Sequence, residues 1–245
     1  MKLNLKSIPL VCCLKDLSSL PKGKLLINTI NAHSYNTATK DPLFAEALVE
    51  GGALIPDGVS IVMACGWLKA KSQPSERVTG WDLFQYEMHE LNKRGGRCLF
   101  MGSSKSVLKK IRARAKSEFS NIEVVTYSPP YKSEFSDEDT RAIIEVVNEA
   151  NPDLLWIGLT APKQEKWVYT HWDKLNIDCH VGTIGAVFDF YAGTVKRAPI
   201  WWQKHSLEWL YRLIKEPRRM WHRYLVGNVL FLWNVAIERF EKSFD

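Results

Sequence analysis

The chain has 245 residues, of which 46% are hydrophobic and 24% are charged, with a formal net charge of +6. This profile predicts a soluble globular protein and excludes disordered and collagen-like classes. Because a single core commonly extends to about 250 residues, we expect one large domain, or one domain with an appendage.

Cysteine usage and hydropathy predict the compartment. The five cysteines include no C-x-x-C pair, and most lie in apolar runs, which favours a reducing environment. The longest apolar stretch, Leu225 to Ile237, has 13 residues and contains Asn228 and Asn234. A membrane-spanning helix needs about 18 apolar residues. The sequence therefore predicts a cytoplasmic chain without a spanning segment.

Six short apolar runs have the length of β-strands and end near Gly, Asn, Asp or Ser. They are Leu25 to Ile30, Ala53 to Ile55, Cys98 to Met101, Ile122 to Thr126, Leu154 to Leu159 and Cys179 to Ile184. Amphipathic helical patterns lie between them, as in 81–92, 107–119 and 140–149. This alternation predicts an α/β fold, Rossmann-like, with a mostly parallel sheet and helices on both faces.

The pattern becomes purely helical after Gly193, with predicted helices from Trp202 to Lys215 and from about Arg218 to Glu241. We expect an α/β body over residues 1–195 and a helical appendage over 196–245. The appendage carries 10 basic and 5 acidic residues and 10 of the 28 aromatic side chains. A basic, Trp-rich tail on a nearly neutral body predicts an anionic surface as partner. The less favoured alternative is a helical pair packed on the body with its tryptophans in the core.

Polar residues follow several of the predicted strands. In a parallel sheet, ligands bind beyond the carboxyl ends of the strands, so these loops should converge on one crevice. Asp57 lies between Pro56 and Gly58, where its carboxylate either accepts a proton from a hydroxyl or caps the next helix, with equal weight. Gly182 and Gly185 either admit a phosphate to a helix N-terminus or mark tight packing, which is the more frequent reason for such a pair.

Two other features have alternative interpretations. Arg77 precedes a predicted helix and suits an anionic ligand, although a single arginine more often faces solvent. Asp137 and Asp139 form a D-x-D motif that holds a metal in many nucleotide-sugar enzymes, but three acids after Ser136 are typical of a helix start. We favour the cap and predict neither a metal nor a cofactor.

Taken in order from about Leu25 to Arg223, the motifs resemble the WecG/TagA/CpsF family of bacterial glycosyltransferases, glycosyltransferase family 26. The motifs are Thr29-x-Asn31, Pro56-Asp57-Gly58, Arg77-Val-Thr-Gly80, Gly158-x3-Pro162-Lys163-Gln164-Glu165, Gly182-x2-Gly185-x2-Phe188-Asp189-x3-Gly193-x3-Arg197-Ala198-Pro199, Leu207-Glu208-Trp209-Leu210-Tyr211-Arg212-Leu213 and Glu216-Pro217-x-Arg219. One difference is that only some 24 residues precede the first strand, where the family usually has a further strand and helix.

The resemblance implies a reaction. Members transfer a hexose-type residue, often N-acetylmannosamine or its uronic acid, from a UDP-sugar to a polyprenyl-diphosphate-linked sugar. Transfer occurs at the cytoplasmic membrane face, inverts the anomeric configuration and needs no metal. The resemblance therefore implies a peripheral membrane enzyme of surface polysaccharide synthesis, and a homo-oligomer is compatible with it.

The resemblance also implies residue roles. Asp57 becomes the general base, Arg77 contacts the acceptor or its diphosphate, and the tail arginines complete the site over UDP. The implied catalytic group is Asp57, Arg77, Thr29 and Asn31. The implied substrate-binding group is Gln164, Lys163, Gly158, Gly182, Gly185, Arg197, Arg212 and Arg219.

A different class of function is a non-catalytic nucleic-acid-binding protein whose basic aromatic tail grips phosphates and stacks bases. It gives no role to Asp57 or to the Pro162–Glu165 turn, so we expect no nucleic acid partner. A nucleotide-dependent oxidoreductase is disfavoured because no G-x-G-x-x-G follows the first strand.

Overall fold

The computed structural model describes residues 3–241, apart from the side chain of Arg219. These residues form one six-stranded sheet in the order β2-β1-β6-β5-β3-β4, and every neighbouring pair is parallel. The strands are β1 Leu25–Ile30, β2 Ala53–Pro56, β3 Gly96–Gly102, β4 Ile122–Tyr127, β5 Leu154–Gly158 and β6 His180–Thr183. The predicted fold class and all six strands are confirmed, with ends that differ by one or two residues.

Twelve α-helices occur within the described residues. They are α1 Ala32–Ala38, α2 Pro42–Val49, α3 Val59–Leu68, α4 Gly80–Arg94, α5 Lys105–Glu118, α6 Asp137–Ala150, α7 Lys163–Thr170, α8 Val187–Tyr191, α9 Ile200–Lys204, α10 Glu208–Lys215, α11 Pro217–Trp221 and α12 Gly227–Phe240. Two short 3-10 helices, Leu14–Ser19 and Trp172–Lys174, and a π-helical turn, His222–Val226, complete the secondary structure.

The central strand β5 shows why the sheet is covered on both faces. Successive side chains of a strand point to opposite faces. Leu154 and Trp156 belong to one buried apolar cluster, whereas Leu155 and Ile157 belong to another. Both clusters are packed by helices, which explains why this strand is an uninterrupted apolar run in the sequence.

The tail differs from its prediction in one place. The helix predicted from Trp202 to Lys215 is wrong, because the structure has α9 and α10 separated by a turn with Ser206 at φ +60°. The amide of Leu207 donates to the carbonyl of Trp202 at 2.8 Å, which closes the turn and redirects the chain. The second predicted helix is found as α11, the π turn and α12 in succession.

The last helix packs directly on the body. Phe231 and Val235 of α12 join a buried cluster that also contains Leu3 and Leu5. The buried carboxylate of Glu238 accepts hydrogen bonds from the Tyr35 hydroxyl at 2.6 Å and from the Lys6 amide at 2.8 Å. The segment before β1 and helix α12 therefore complete one face of the core together, and a domain boundary at residue 196 stays a prediction.

Within residues 3–241, none of the helices combines the length and the apolar character that crossing a membrane requires.

Candidate active site

Asp57 lies at the carboxyl end of β2, on the edge of the sheet where all six strands end. Its amide donates to the carbonyl of Ile30 at 2.8 Å, which fixes the residue beside the end of β1. Gly58 occupies the cap position of α3, and among the described residues no side chain caps that helix. The capping alternative for Asp57 is therefore not found, and its half-buried carboxyl remains available for chemistry.

The surroundings of Asp57 bring the pKa of its carboxyl group into the neutral range. Burial raises the pKa of Asp57 to about 7, with Arg212 and Arg77 opposing the rise and Glu208 and Asp82 adding to it. These groups belong to α10, to α4 and to the loop before α4. The site thus joins the sheet edge to the tail, and a carboxyl with a pKa near the working pH is well suited to take and release a proton.

Arg77 is held by α10 and does not face solvent. Its Nη1 donates to Glu208 Oε2 at 2.8 Å, and its Nη2 donates to the carbonyl of Gln203 at 2.8 Å. The neighbouring amide of Val78 donates to the carbonyl of Pro56 at 3.2 Å, which places Arg77 next to Asp57. The solvent-facing alternative for Arg77 is therefore wrong, since only 22% of its side chain is exposed.

Glu208 was not singled out as a site residue from the sequence. Its second oxygen accepts from Nε of Arg197 at 3.2 Å, so one carboxylate links two arginines. Burial would raise the pKa of Glu208, but Arg197 and Arg77 together hold it below its ordinary value. The only sequence signal was its place in the motif that also contains Arg212.

Two tail arginines lie over aromatic rings. The guanidinium of Arg212 is 4.8 Å from the centre of the Phe190 ring, and that of Arg197 is 5.4 Å from the centre of the Trp81 ring. Stacking of this kind orients a guanidinium while leaving its edge for an anion. The side chain of Arg219 lies outside the described residues, so its role stays a prediction.

Thr29 lies at the end of β1, and Asn31 directly follows that strand. Oδ1 of Asn31 accepts from the amides of His33 at 3.0 Å and Ser34 at 3.1 Å, which caps α1. A Cβ on Gly58 would lie 3.5 Å from the Cβ of Asn31, so the loops after β1 and β2 touch. Thr29 pairs in register with Ile55, two residues before Asp57. The structure brings both residues to the edge, and their substrate contacts stay predictions.

Gly158 and Gly182 serve packing. The space for a side chain on Gly182 is filled by the Trp156 ring, and a Cβ on Gly158 would lie 2.5 Å from the Phe188 ring. Gly185 follows β6 with φ +24°, and a Cβ there would lie 3.0 Å from the carbonyl oxygen of Leu159 and 3.4 Å from Oε1 of Gln164. Tight packing is thus found at Gly182, while substrate contact by any of the three glycines stays a prediction.

Lys163 and Gln164, the first two residues of α7, have different surroundings. Nζ of Lys163 donates to the carbonyl of Lys132 at 2.6 Å and lies 3.4 Å from the centre of the Phe135 ring. It is therefore engaged with the segment between β4 and α6. Gln164, in contrast, is buried beside Gly185. Substrate binding by Lys163 and by Gln164 stays a prediction.

The D-x-D motif caps α6. Ser136 Oγ accepts from the amide of Asp139 at 3.2 Å, while Asp139 Oδ2 accepts from the amide of Ser136 at 2.9 Å. A hydrogen bond from Lys132 is the main cause that lowers the pKa of Asp139 to about 2. The capping prediction is confirmed. In the part of the chain that the structure describes, no group of three or more His, Cys, Asp or Glu side chains could hold a metal ion.

A carboxyl of near-neutral pKa among arginines, at the carboxyl edge of a parallel sheet, defines an enzyme that acts on anionic substrates. The model of the glycosyl transferase WecG/TagA/CpsF family matches residues 4–244. The chain therefore belongs to this family, as the resemblance of its motifs predicted, and it is a glycosyltransferase.

Two relatives carry the same name. The chain is 32% identical to an N-acetylglucosaminyldiphosphoundecaprenol N-acetyl-beta-D-mannosaminyltransferase of Bacillus subtilis (strain 168), over 89% of this chain and 82% of that protein. It is 30% identical to a protein of the same name from Bacillus spizizenii (strain ATCC 23059 / NRRL B-14472 / W23), over 83% of this chain and 76% of that protein. The nucleic-acid-binding alternative gains no support.

Proposed function

We propose that this enzyme transfers an N-acetylmannosamine-type sugar from a UDP-sugar to N-acetylglucosamine carried on a polyprenyl diphosphate. The names of the two relatives support the acceptor and the transferred sugar. The observation that carries the proposal in this chain is the placement of Asp57 beside Arg77 and Arg212. One group accepts a proton, and the others supply positive charge for a diphosphate.

Asp57 acts as the general base. Its ionised carboxylate takes the proton from an acceptor hydroxyl as that oxygen forms a bond to the anomeric carbon of the donor sugar. The bond between the anomeric carbon and the UDP oxygen breaks on the opposite face, so the configuration inverts. The proton ends on Asp57 and the electron pair leaves with UDP. A pKa of about 7 lets the group work in both directions near neutral pH.

The arginines act on the two diphosphates. We propose that Arg212 and Arg197, whose guanidinium groups lie over aromatic rings, stabilise charge on departing UDP together with Arg219. In this proposal Arg77 holds the acceptor or its diphosphate. Because Glu208 links Arg77 with Arg197, both functions depend on the position of α10.

The tail is also proposed to rest on the anionic inner face of the cell membrane. The inner side of α12 packs on the body, while its outer side exposes Val229, Leu232 and Trp233, each by more than 60%. Val229 and Trp233 also line an apolar groove together with Leu225 and Val226. Exposed apolar and Trp side chains on a basic segment are typical of helices that lie in a membrane interface.

The proposal is tested by incubating the enzyme with a panel of UDP-sugars and a synthetic polyprenyl-diphosphate-N-acetylglucosamine, and by measuring product mass. We expect one added N-acetylhexosamine from UDP-N-acetylmannosamine, with inversion visible in the anomeric NMR coupling. The proposed function would be contradicted if none of the UDP-sugars in the panel gave transfer to this acceptor.

A further inference from the structure

Gln164 and Glu165 form a buried pair at the start of α7, immediately after the loop that follows β5. Only 4% of Gln164 and 2% of Glu165 is exposed. Nε2 of Gln164 donates to Oε1 of Glu165 at 2.8 Å. A carboxyl group is seldom buried this deeply without a charged partner, so the pair needs an explanation.

Each side chain of the pair has one oxygen without a partner. Oε1 of Gln164 and Oε2 of Glu165 are buried, and no described residue donates a hydrogen bond to either. Buried acceptors are normally satisfied, because leaving one unpaired lowers stability. An unsatisfied acceptor near the carboxyl edge of a parallel sheet, where ligands bind, is explained if the missing donor belongs to a ligand.

The position of Gln164 fits that explanation. A Cβ on Gly185 would lie 3.4 Å from Gln164 Oε1, and Gly185 follows β6 at the carboxyl edge of the sheet. The amide therefore lies against a residue that has no side chain to cover it. In parallel sheets this edge is where ligands bind.

We propose that Glu165 is a positioning residue that orients the Gln164 amide, so that Gln164 Oε1 accepts a hydrogen bond from an N–H or O–H group of the sugar substrate. This inference rests on the proposed function and deepens it. An amide can rotate to present either its oxygen or its nitrogen. Because an ionised Glu165 has only acceptor atoms, it pairs with the nitrogen of the amide and leaves the oxygen for the substrate.

Burial raises the pKa of Glu165 to about 7, and the hydrogen bond from Gln164 opposes that rise. Above this pH the carboxylate is ionised and has only acceptor oxygens. The orientation of Gln164 is therefore fixed most firmly above a pH of about 7.

Two variants of Glu165 separate positioning from a structural role. Glu165→Met keeps the length of the side chain and removes both acceptor oxygens, whereas Glu165→Gln keeps an oxygen that accepts from Gln164. We expect kcat/KM to fall about 10- to 100-fold in the Met variant, because a misplaced contact in an active site can cost that much. The Gln variant should recover most of that loss. The melting temperature of the Met variant should change little, because the unpaired oxygen of Glu165 is removed while the nitrogen of Gln164 loses its acceptor.

A double-mutant cycle tests whether Glu165 acts through Gln164. If it does, Gln164→Met combined with Glu165→Met should be no less active than Gln164→Met alone. The inference would be overturned if the two losses of activity multiplied in the double variant. It would also be overturned if the activity of Glu165→Met fell only in step with its melting temperature.

Donors of two kinds identify the hydrogen-bonding group. If the group is the acetamido N–H of the donor sugar, Glu165→Met should lose its effect with a UDP-hexose that has no acetamido group. If it is a hydroxyl common to both donors, the loss should be equal for the two. An equal kcat/KM for the wild type and the Met variant with every donor would overturn the inference.

A last readout is independent of turnover. The side-chain amide signals of Gln164 in a ¹⁵N correlation spectrum are assigned as those missing from Gln164→Met. They should shift and broaden in Glu165→Met, and unchanged signals would overturn the positioning role. Absence of transfer by the wild type would contradict the proposed function, while these signals would still decide whether Glu165 holds the amide.

Discussion

Glu208 Oε2 accepts a 2.8 Å hydrogen bond from Nη1 of Arg77, and this contact ties α10 to the loop before α4. The same carboxylate binds Arg197, so three charged groups from separate parts of the chain meet within one network. Glu208 and Arg212 also act with opposite sign on the pKa of Asp57. The tail therefore influences the pKa of Asp57.

This opposition gives a pair of pH predictions. A general base works when it is ionised, so kcat/KM of the wild type should fall as the pH drops below about 7. Glu208→Gln removes a negative charge near Asp57 and should move this acid limb to lower pH. Arg212→Gln removes a positive charge and should move it to higher pH. The pH dependence of kcat/KM for the three proteins checks the prediction, and shifts of the same sign in both variants would contradict it.

His180 provides a pH prediction for stability. Its Nδ1 lies 2.8 Å from Glu87 Oε1 and its Nε2 lies 2.8 Å from the carbonyl of Pro21, so both nitrogens donate when the ring is protonated. Burial lowers the pKa of His180, but the bond to Glu87 outweighs burial and the net pKa is raised. The stabilisation is fully present below the unfolded pKa of about 6.5 and is lost as the pH rises through the folded pKa.

The difference in melting temperature between the wild type and His180→Gln should therefore be large at pH 5.5–6 and should shrink toward pH 9. His180 begins β6, at the end of the strand opposite the active site, so the variant should keep its turnover at neutral pH. A difference in melting temperature that grows with pH would contradict the assigned protonation.

Membrane contact by the outer face of α12 is tested with point variants. A truncation at residue 196 would remove Phe231 and Val235 from the core and would confuse binding with folding. Leu232→Gln combined with Trp233→Gln should lower binding to anionic vesicles, while turnover on a water-soluble, short-chain acceptor should persist. Co-sedimentation at several salt concentrations measures the effect, and normal vesicle binding by the variant would remove the proposed contact.

Metal independence is tested by chelation. Because Arg77 and the tail arginines are proposed to supply the positive charge for the diphosphates, activity should survive EDTA. Loss of activity in EDTA that Mg²⁺ or Mn²⁺ restores would overturn this prediction. It would also require a role for Asp137 or Asp139 beyond capping α6.

The local sequence pattern was enough to predict the six strands and the position of Asp57 at the carboxyl edge of the sheet. Apolar runs of strand length have no other good interpretation between helical patterns, and the residue after such a run falls at the carboxyl edge. Pairing across the chain was not predictable: Glu208 lies 131 positions from Arg77, and no local signal links them. The break at Ser206 was missed because serine gives no strong signal for a positive φ. The packing of α12 on the body was the less favoured alternative, because apolar and Trp side chains on a basic segment fit a membrane interface as well as a core.

The most direct test of the account is the turnover of Asp57→Asn, measured together with its UDP affinity by calorimetry. The amide keeps the shape of the side chain and loses the proton acceptor. We expect UDP affinity and melting temperature near those of the wild type, with kcat lower by roughly 10²- to 10⁴-fold. Turnover equal to that of the wild type in the purified variant would contradict the assignment of Asp57 as the base.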